Sequence, residues 1–179
     1  MAMCNDSPHF DANKNDYYTS KIMWQKIEHL IPKDKTIYEC CLLNSKSNSI
    51  EYWKEMGYNI VGHKTWDCLK YYPINYDIIV TNIPFETKIK QKILKHLVKL
   101  DKPFIIIINS MNVYSKYMRD IFGDNIKHLQ MIIPQGKITF EIYNEETKEL
   151  EPCKKQPSFY CTYLCYKMNF TQEQLWLKN

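Results

Sequence analysis

Two kinds of apolar pattern alternate along this chain. Short apolar runs at 36–43, 58–62, 76–82 and 103–109 read as strands. The last of these, PFIIIIN, is apolar without a break and suits a strand covered on both faces. Between the runs, apolar residues recur at helical spacing. Residues 20–30 place Ile22, Met23, Ile27 and Leu30 on one face, with Ser20 as a candidate cap and Pro32 as the stop. Residues 49–57 form a short helical segment ending in Gly57. In 86–100, Ile89, Ile93, Leu97 and Leu100 face inward, and Lys88, Lys92, Lys95 and Lys99 face outward. Residues 113–123 give a further helix, 126–133 a strand, and 63–75 a loop without a clear period. Two long alternating segments, 137–144 and 158–168, read as hairpin-like strands joined by a polar loop. Alternating strands and helices predict an α/β chain, a doubly wound and mostly parallel sheet, with antiparallel C-terminal strands closing one edge.

Composition sets the class without changing this picture. The chain has 179 residues, 45% hydrophobic and 25% charged, which suits one globular domain. The expected organisation is a mobile N-terminal segment at 1–15, a single domain at 16–170 and a C-terminal tail at 171–179. No window approaches 18 uninterrupted apolar residues, and the N-terminus lacks a basic-then-apolar signal pattern, so the expectation is an intracellular protein with no membrane partner. The net charge of +4 permits nucleic-acid binding without demanding it. The lysine stripe of 86–100 is either a solvated face or a meeting point for phosphates. Seven cysteines, an odd number in a chain of this size, read as free thiols. Cys153, Cys161 and Cys165 match no tight metal-ligand spacing, and Cys161 and Cys165 share one strand face as core residues, so no metal site is expected.

The candidate chemistry lies in DIIVTNIPFETK, residues 77–88, where an apolar strand ends in Asn82, Ile83, Pro84 and Phe85. Ligands of open α/β sheets sit at the carboxyl ends of the strands. An asparagine oxygen accepts a hydrogen bond, a proline offers no N–H, and an aromatic ring gives a base a stacking face. Acceptors beside a stacking platform suit the exocyclic amine of a flipped nucleobase. The bland alternative is a strand-ending turn with a packed Phe85.

With those residues the chain resembles the class I, Rossmann-like S-adenosylmethionine-dependent methyltransferases that act on the amino group of adenine, in particular small viral and phage members. NIPF at 82–85 is similar to their Asn/Asp-Pro-Pro-aromatic signature, DYYTS at 16–20 to their YYTP opening, and the segments at 137–144 and 158–168 to their terminal β-hairpin. The resemblance spans roughly 16–168. It implies that Asn82 and the Ile83 carbonyl hold the amine, Pro84 fixes the corner and Phe85 stacks on the base. It also implies that Tyr18 and Thr19 meet the methionine end of S-adenosyl-L-methionine, with Glu39 as the acidic residue after the first strand and Asp67 at the cofactor's adenine. Nucleic acid, DNA or RNA, is the implied partner, inside the cytoplasm or nucleus of a host cell.

The sequence also departs from that family. Leu43 and Ser45 stand where its cofactor loop has glycines, and the second strand ends in Gly62-His63-Lys64 without a carboxylate. The unit before the motif strand is shortened, and no target-recognition domain is evident. Two functions therefore stand: N6-adenine methyl transfer, or a catalytically inactive methyltransferase-fold module that binds nucleic acid or protein, with a partner chain supplying recognition. Glu39 as a strand-end pairing residue, Asp67 as a cap and Ser20 as a plain helix cap are the structural alternatives.

Overall fold

The apolar runs become the strands of one large sheet. The protein's structure, a computed structural model, describes residues 17–42, 46–63 and 67–177. The segment 1–15, and the glycine-equivalent positions Leu43 and Ser45, lie outside the described residues. In chain order the elements are β1 (Tyr18–Thr19), α1 (Lys21–Glu28), β2 (Thr36–Tyr38), α2 (Ser49–Glu55), β3 (Asn59–Val61), β4 (Ile78–Asn82), α3 (Thr87–Leu100), β5 (Phe104–Asn109), α4 (Lys116–Phe122), β6 (Leu129–Ile133), β7 (Phe140–Asn144), β8 (Glu149–Pro152), β9 (Cys161–Tyr166) and β10 (Gln174–Trp176). Seven strands form a sheet in the order β10-β6-β9-β5-β4-β2-β3, and β1, β7 and β8 form a small antiparallel sheet. Every pair in the large sheet is parallel except those of β9, which runs antiparallel to both β5 and β6.

This is the α/β, mostly parallel, doubly wound architecture that the alternating periods predict. One detail differs. The segments 137–144 and 158–168 do not pair with each other. β7 pairs with β1 and β8, whereas β9 slots between β5 and β6 in the interior of the large sheet, not at its edge. The reason is burial. All residues of β9 are buried, so it needs cover on both faces, while β7 buries Phe140 and exposes Ile142, the pattern of a sheet with one wet face. The expected tail at 171–179 also contributes: β10 extends the sheet alongside β6.

Alternation along β5 divides the core. Ile105 and Ile107 join Trp24, Trp53 and Tyr163 on the α1/α2 side, and Phe104, Ile106 and Ile108 join Leu94, Leu97 and Phe122 on the α3/α4 side. Cys161 and Cys165 pack together on the first side, as their shared strand face predicts. In α1 the inward face is Met23, Trp24 and Ile27, while Ile22 is 54% exposed, because the Trp24 ring packs against Trp53 at 5.7 Å. Ser20 precedes α1 without capping it through its side chain; its hydroxyl pairs with Thr139 Oγ1 at 2.8 Å. α3 is capped by Glu86, whose carboxylate accepts from the backbone N–H groups of Lys88 and Ile89, both at 2.9 Å.

The chain runs from β2 outward to β3 and then crosses back to β4 on the other side of β2. The direction of winding therefore reverses between β2 and β4, and the crevice at their carboxyl ends is where such sheets bind ligands. β3 closes tightly on this point. A Cβ built on Gly62 would lie 2.5 Å from the Glu39 carbonyl oxygen and 3.2 Å from a Leu42 methyl. Gly62→Ala is expected to force the two strand ends apart and cost about 1–3 kcal/mol, read as a lowered melting temperature in thermal unfolding followed by circular dichroism.

Candidate active site

β4 is buried along Ile78–Thr81, which fixes its register and delivers Asn82 to the crevice. There the Asn82 amide nitrogen donates to the Tyr17 carbonyl at 3.0 Å. That bond orients the side chain, because only the NH2 side can face a carbonyl. The opposite atom, Oδ1, is buried and has no hydrogen-bond partner among the described residues. A buried unsatisfied acceptor carries a desolvation penalty of about 1–3 kcal/mol, and here it marks a place where a donor belongs. Ile83 anchors the corner in the α3-side core at 1% exposure. Phe85 is half-buried in an aromatic group, edge-on to Phe159 at 5.0 Å, Phe140 at 5.8 Å and Tyr17 at 6.4 Å.

A residue that the sequence reading passed over holds the corner from below. Lys90, buried in α3, donates from Nζ to the Phe85 carbonyl at 3.0 Å. Burial lowers its proton affinity below the usual lysine value, and Glu86 works against that effect. Lys90 was legible in principle, since Lys90, Ile93, Leu94 and Leu97 recur at i, i+3, i+4 and i+7, and all of them are buried.

β1 lies beside this corner. Tyr18 and Thr19 pair with Glu141 and Phe140 of β7, and the Thr19 hydroxyl is a second buried polar atom without a partner among the described residues. The structure thus brings Asn82, Phe85, Tyr17 and the Tyr18–Thr19 strand to one place.

Glu39 stands one residue beyond β2 and is 2% exposed. Its carboxylate accepts from the Thr81 hydroxyl, from the Ser49 hydroxyl at 2.8 Å and from the Cys41 N–H at 3.1 Å. Burial pushes its pKa up to about 7, against the lowering effect of those three donors. Glu39 therefore clamps β4, α2 and its own strand end together. Nothing in the spacing of Thr81 and Ser49 signalled this. Asp67 is likewise committed locally: its side chain accepts from the Leu69 N–H at 3.0 Å, and its carbonyl accepts from Lys70 and Tyr71 at 2.9 Å. It caps a turn, in line with the structural alternative for it.

The rim of the crevice is aromatic. Tyr114 and Met111, just after β5, and Tyr160, whose carbonyl accepts from Ser110 N at 2.9 Å, are all exposed at the carboxyl end of that strand. The Lys137 ammonium lies 5.4 Å above the Tyr160 ring. Among the described residues no helix is long and apolar enough to cross a membrane.

No family model and no curated protein matches the sequence. Among solved structures, the fold is similar to the tRNA (m1A58) methyltransferase TrmI of Aquifex aeolicus, at 10% identity and TM-score 0.44, covering 86% of this chain and 70% of that one. It is similar, also at 10% identity and TM-score 0.44, to a modification subunit assigned to a type I restriction enzyme of Vibrio vulnificus, covering 89% of this chain. This chain spans 46% of the length of that subunit. A third is an S-adenosylmethionine-dependent O-methyltransferase of Thermotoga maritima, at 9% identity and TM-score 0.38, covering 87% of this chain and 68% of that one. The class assigned here rests on the strand order and its switch point: a Rossmann-like sheet of the kind that the resemblance to class I methyltransferases implies.

Proposed function

We propose that this chain transfers the methyl group of S-adenosylmethionine to the exocyclic amine of adenine in DNA or RNA. The observation that carries this reading is the Asn82 side chain, held by the Tyr17 carbonyl so that its buried oxygen, an acceptor, is left without a donor among the described residues. An amine donating to Asn82 Oδ1 and to the Ile83 carbonyl would be turned so that its lone pair points away from both. Catalysis would then come mostly from position, without a strong general base. The exposed Tyr114, Met111 and Tyr160 offer stacking and apolar surface to the bases flanking a flipped adenine.

The cofactor supplies an electrophilic methyl group when bound. Of the residues assigned to it by resemblance, Thr19 keeps an uncommitted buried hydroxyl and fits the role, whereas Glu39 and Asp67 are engaged by protein donors. That engagement favours a second reading, in which the fold is retained as a nucleic-acid- or protein-binding module beside a partner chain.

Calorimetric titration with S-adenosylmethionine, followed by a labelled-methyl transfer assay on adenine-containing oligonucleotides, separates the two. Heat of binding and label in N6-methyladenine are expected. Absence of binding at millimolar cofactor would sink the first reading, and oligonucleotide binding without transfer would establish the second.

A further inference from the structure

Away from the Asn82 corner, the fold assembles a cluster that its sequence spacing concealed. Cys40 and Cys41 follow β2, and Cys68 sits in the turn after β3, 27 or 28 residues later. In the structure the three sulfur atoms lie within 4.8 Å of one another, and Cys40 Sγ is 3.6 Å from Cys41 Sγ. Cys40 and Cys68 are buried and Cys41 is half-buried, on the α3 side of the sheet. The six cysteines among the described residues are all free thiols.

From this juxtaposition we propose that Cys40, Cys41 and Cys68 form a thiolate site for one zinc ion, with the fourth position left to a water molecule. Four arguments select the occupant. A tetrahedral zinc with Zn–S bonds of about 2.3 Å sets its sulfur ligands about 3.8 Å apart, close to the 3.6 Å between Cys40 and Cys41. Neighbouring residues have Cα atoms about 3.8 Å apart, below the roughly 4.4–6.8 Å that a disulfide spans, so Cys40 and Cys41 are poorly placed to pair with each other. A disulfide from Cys68 to either one would strand the third thiol. Three thiolates around a divalent ion leave one net negative charge, less than the same thiolates would leave around a monovalent soft metal such as Cu(I). Binding releases the thiol protons to water and ties the end of β2 to the 67–71 turn. The site is a structural staple at the mouth of the switch-point crevice, and it holds whether or not the chain transfers methyl groups.

The test uses the full chain, expressed with zinc and purified under reducing conditions without chelator. Elemental analysis is expected to find about one zinc per chain. Cys40→Ser and Cys68→Ser should lose it, and Cys153→Ala, outside the cluster, should keep it. Because a serine variant can fail to fold, the wild-type chain stripped of metal and reduced is also titrated with cobalt(II). Thiolate-to-cobalt charge-transfer bands with tetrahedral d–d bands are expected, displaced by one equivalent of zinc. A wild-type chain that carries no zinc and shows no thiolate bands with cobalt, or one isolated with a Cys68 disulfide, overturns the proposal.

Discussion

Replacing Asn82 with alanine is expected to reduce methyl transfer by at least about 10²-fold, the scale on which loss of one positioning group acts, while leaving the fold's stability almost unchanged. The two halves of that expectation come from different atoms of the same side chain. The amide nitrogen makes one bond, to the Tyr17 carbonyl, worth a net ~1 kcal/mol. The oxygen is buried without a partner among the described residues, so deleting it removes a desolvation penalty of about 1–3 kcal/mol. Deleting the amide also leaves the part-buried Tyr17 carbonyl without that donor, so the terms nearly cancel. The melting temperature should therefore move by only a few degrees, since 1 kcal/mol corresponds to about 2–4 °C at this size. Asn82→Asp behaves differently: it sets a carboxylate oxygen against the Tyr17 carbonyl, so both stability and transfer should fall. Transfer kinetics and calorimetric melting on the same preparations make the check. A clear loss of stability in Asn82→Ala would mean that the oxygen is already satisfied in solution and is not waiting for an amine.

The second large effect concerns Glu39 and pH. Its pKa rises from 4.5 to about 7 in the folded chain because burial opposes the charged form. The folded protein therefore holds this proton more tightly than the unfolded chain does. Glu39's contribution to stability is fully present below about pH 4.5 and is lost as pH rises through about 7. Two and a half pH units correspond to about 3 kcal/mol at the limit. Stability against urea should thus decline between pH 5 and 7.5, against the usual trend of carboxylates that are paired in the fold. In Glu39→Gln that decline should be absent. The amide oxygen can still accept from Thr81 and Cys41, and the Ser49 hydroxyl can turn to accept from the new NH2 group. An unaltered pH slope in Glu39→Gln would show that the carboxylate stays ionised across the range. If the charge matters for cofactor binding, as the resemblance implies, cofactor affinity should weaken below pH 7 in the wild type and lose that dependence in the variant.

The run 103–109 announced a strand covered on both faces, and β5 has its apolar side chains in both halves of the core. The segment 86–100 announced its helix, and Lys88, Lys92, Lys95 and Lys99 are exposed, as its pattern required. The segment 158–168 was misplaced because adjacency in sequence suggests a hairpin, whereas continuous burial of Cys161–Tyr166 demands an interior position. Ile22 and Trp24 exchanged roles because two large rings, Trp24 and Trp53, gain more by packing on each other than a strict stripe would allow.

The chain by itself determined the alternation of strands and helices between residues 20 and 133, the strand that ends in Asn82-Ile83-Pro84-Phe85, and the apolar material for a sheet with helices on both sides, but not the short strands β1, β8 and β10. These follow from local periods and from turn chemistry, which act over a few residues. Tertiary structure alone decided which atoms are spent and which are left over. Glu39 is consumed by Thr81 and Ser49, Asp67 by its own turn, and one side of Asn82 by Tyr17, while Asn82 Oδ1 and Thr19 Oγ1 have no partner among the described residues. The same holds for Cys40, Cys41 and Cys68, which meet because β2 and the turn after β3 end on one side of the sheet. Hydrogen-bond satisfaction and thiol clustering depend on contacts between residues far apart in the chain, and no period in the sequence records them.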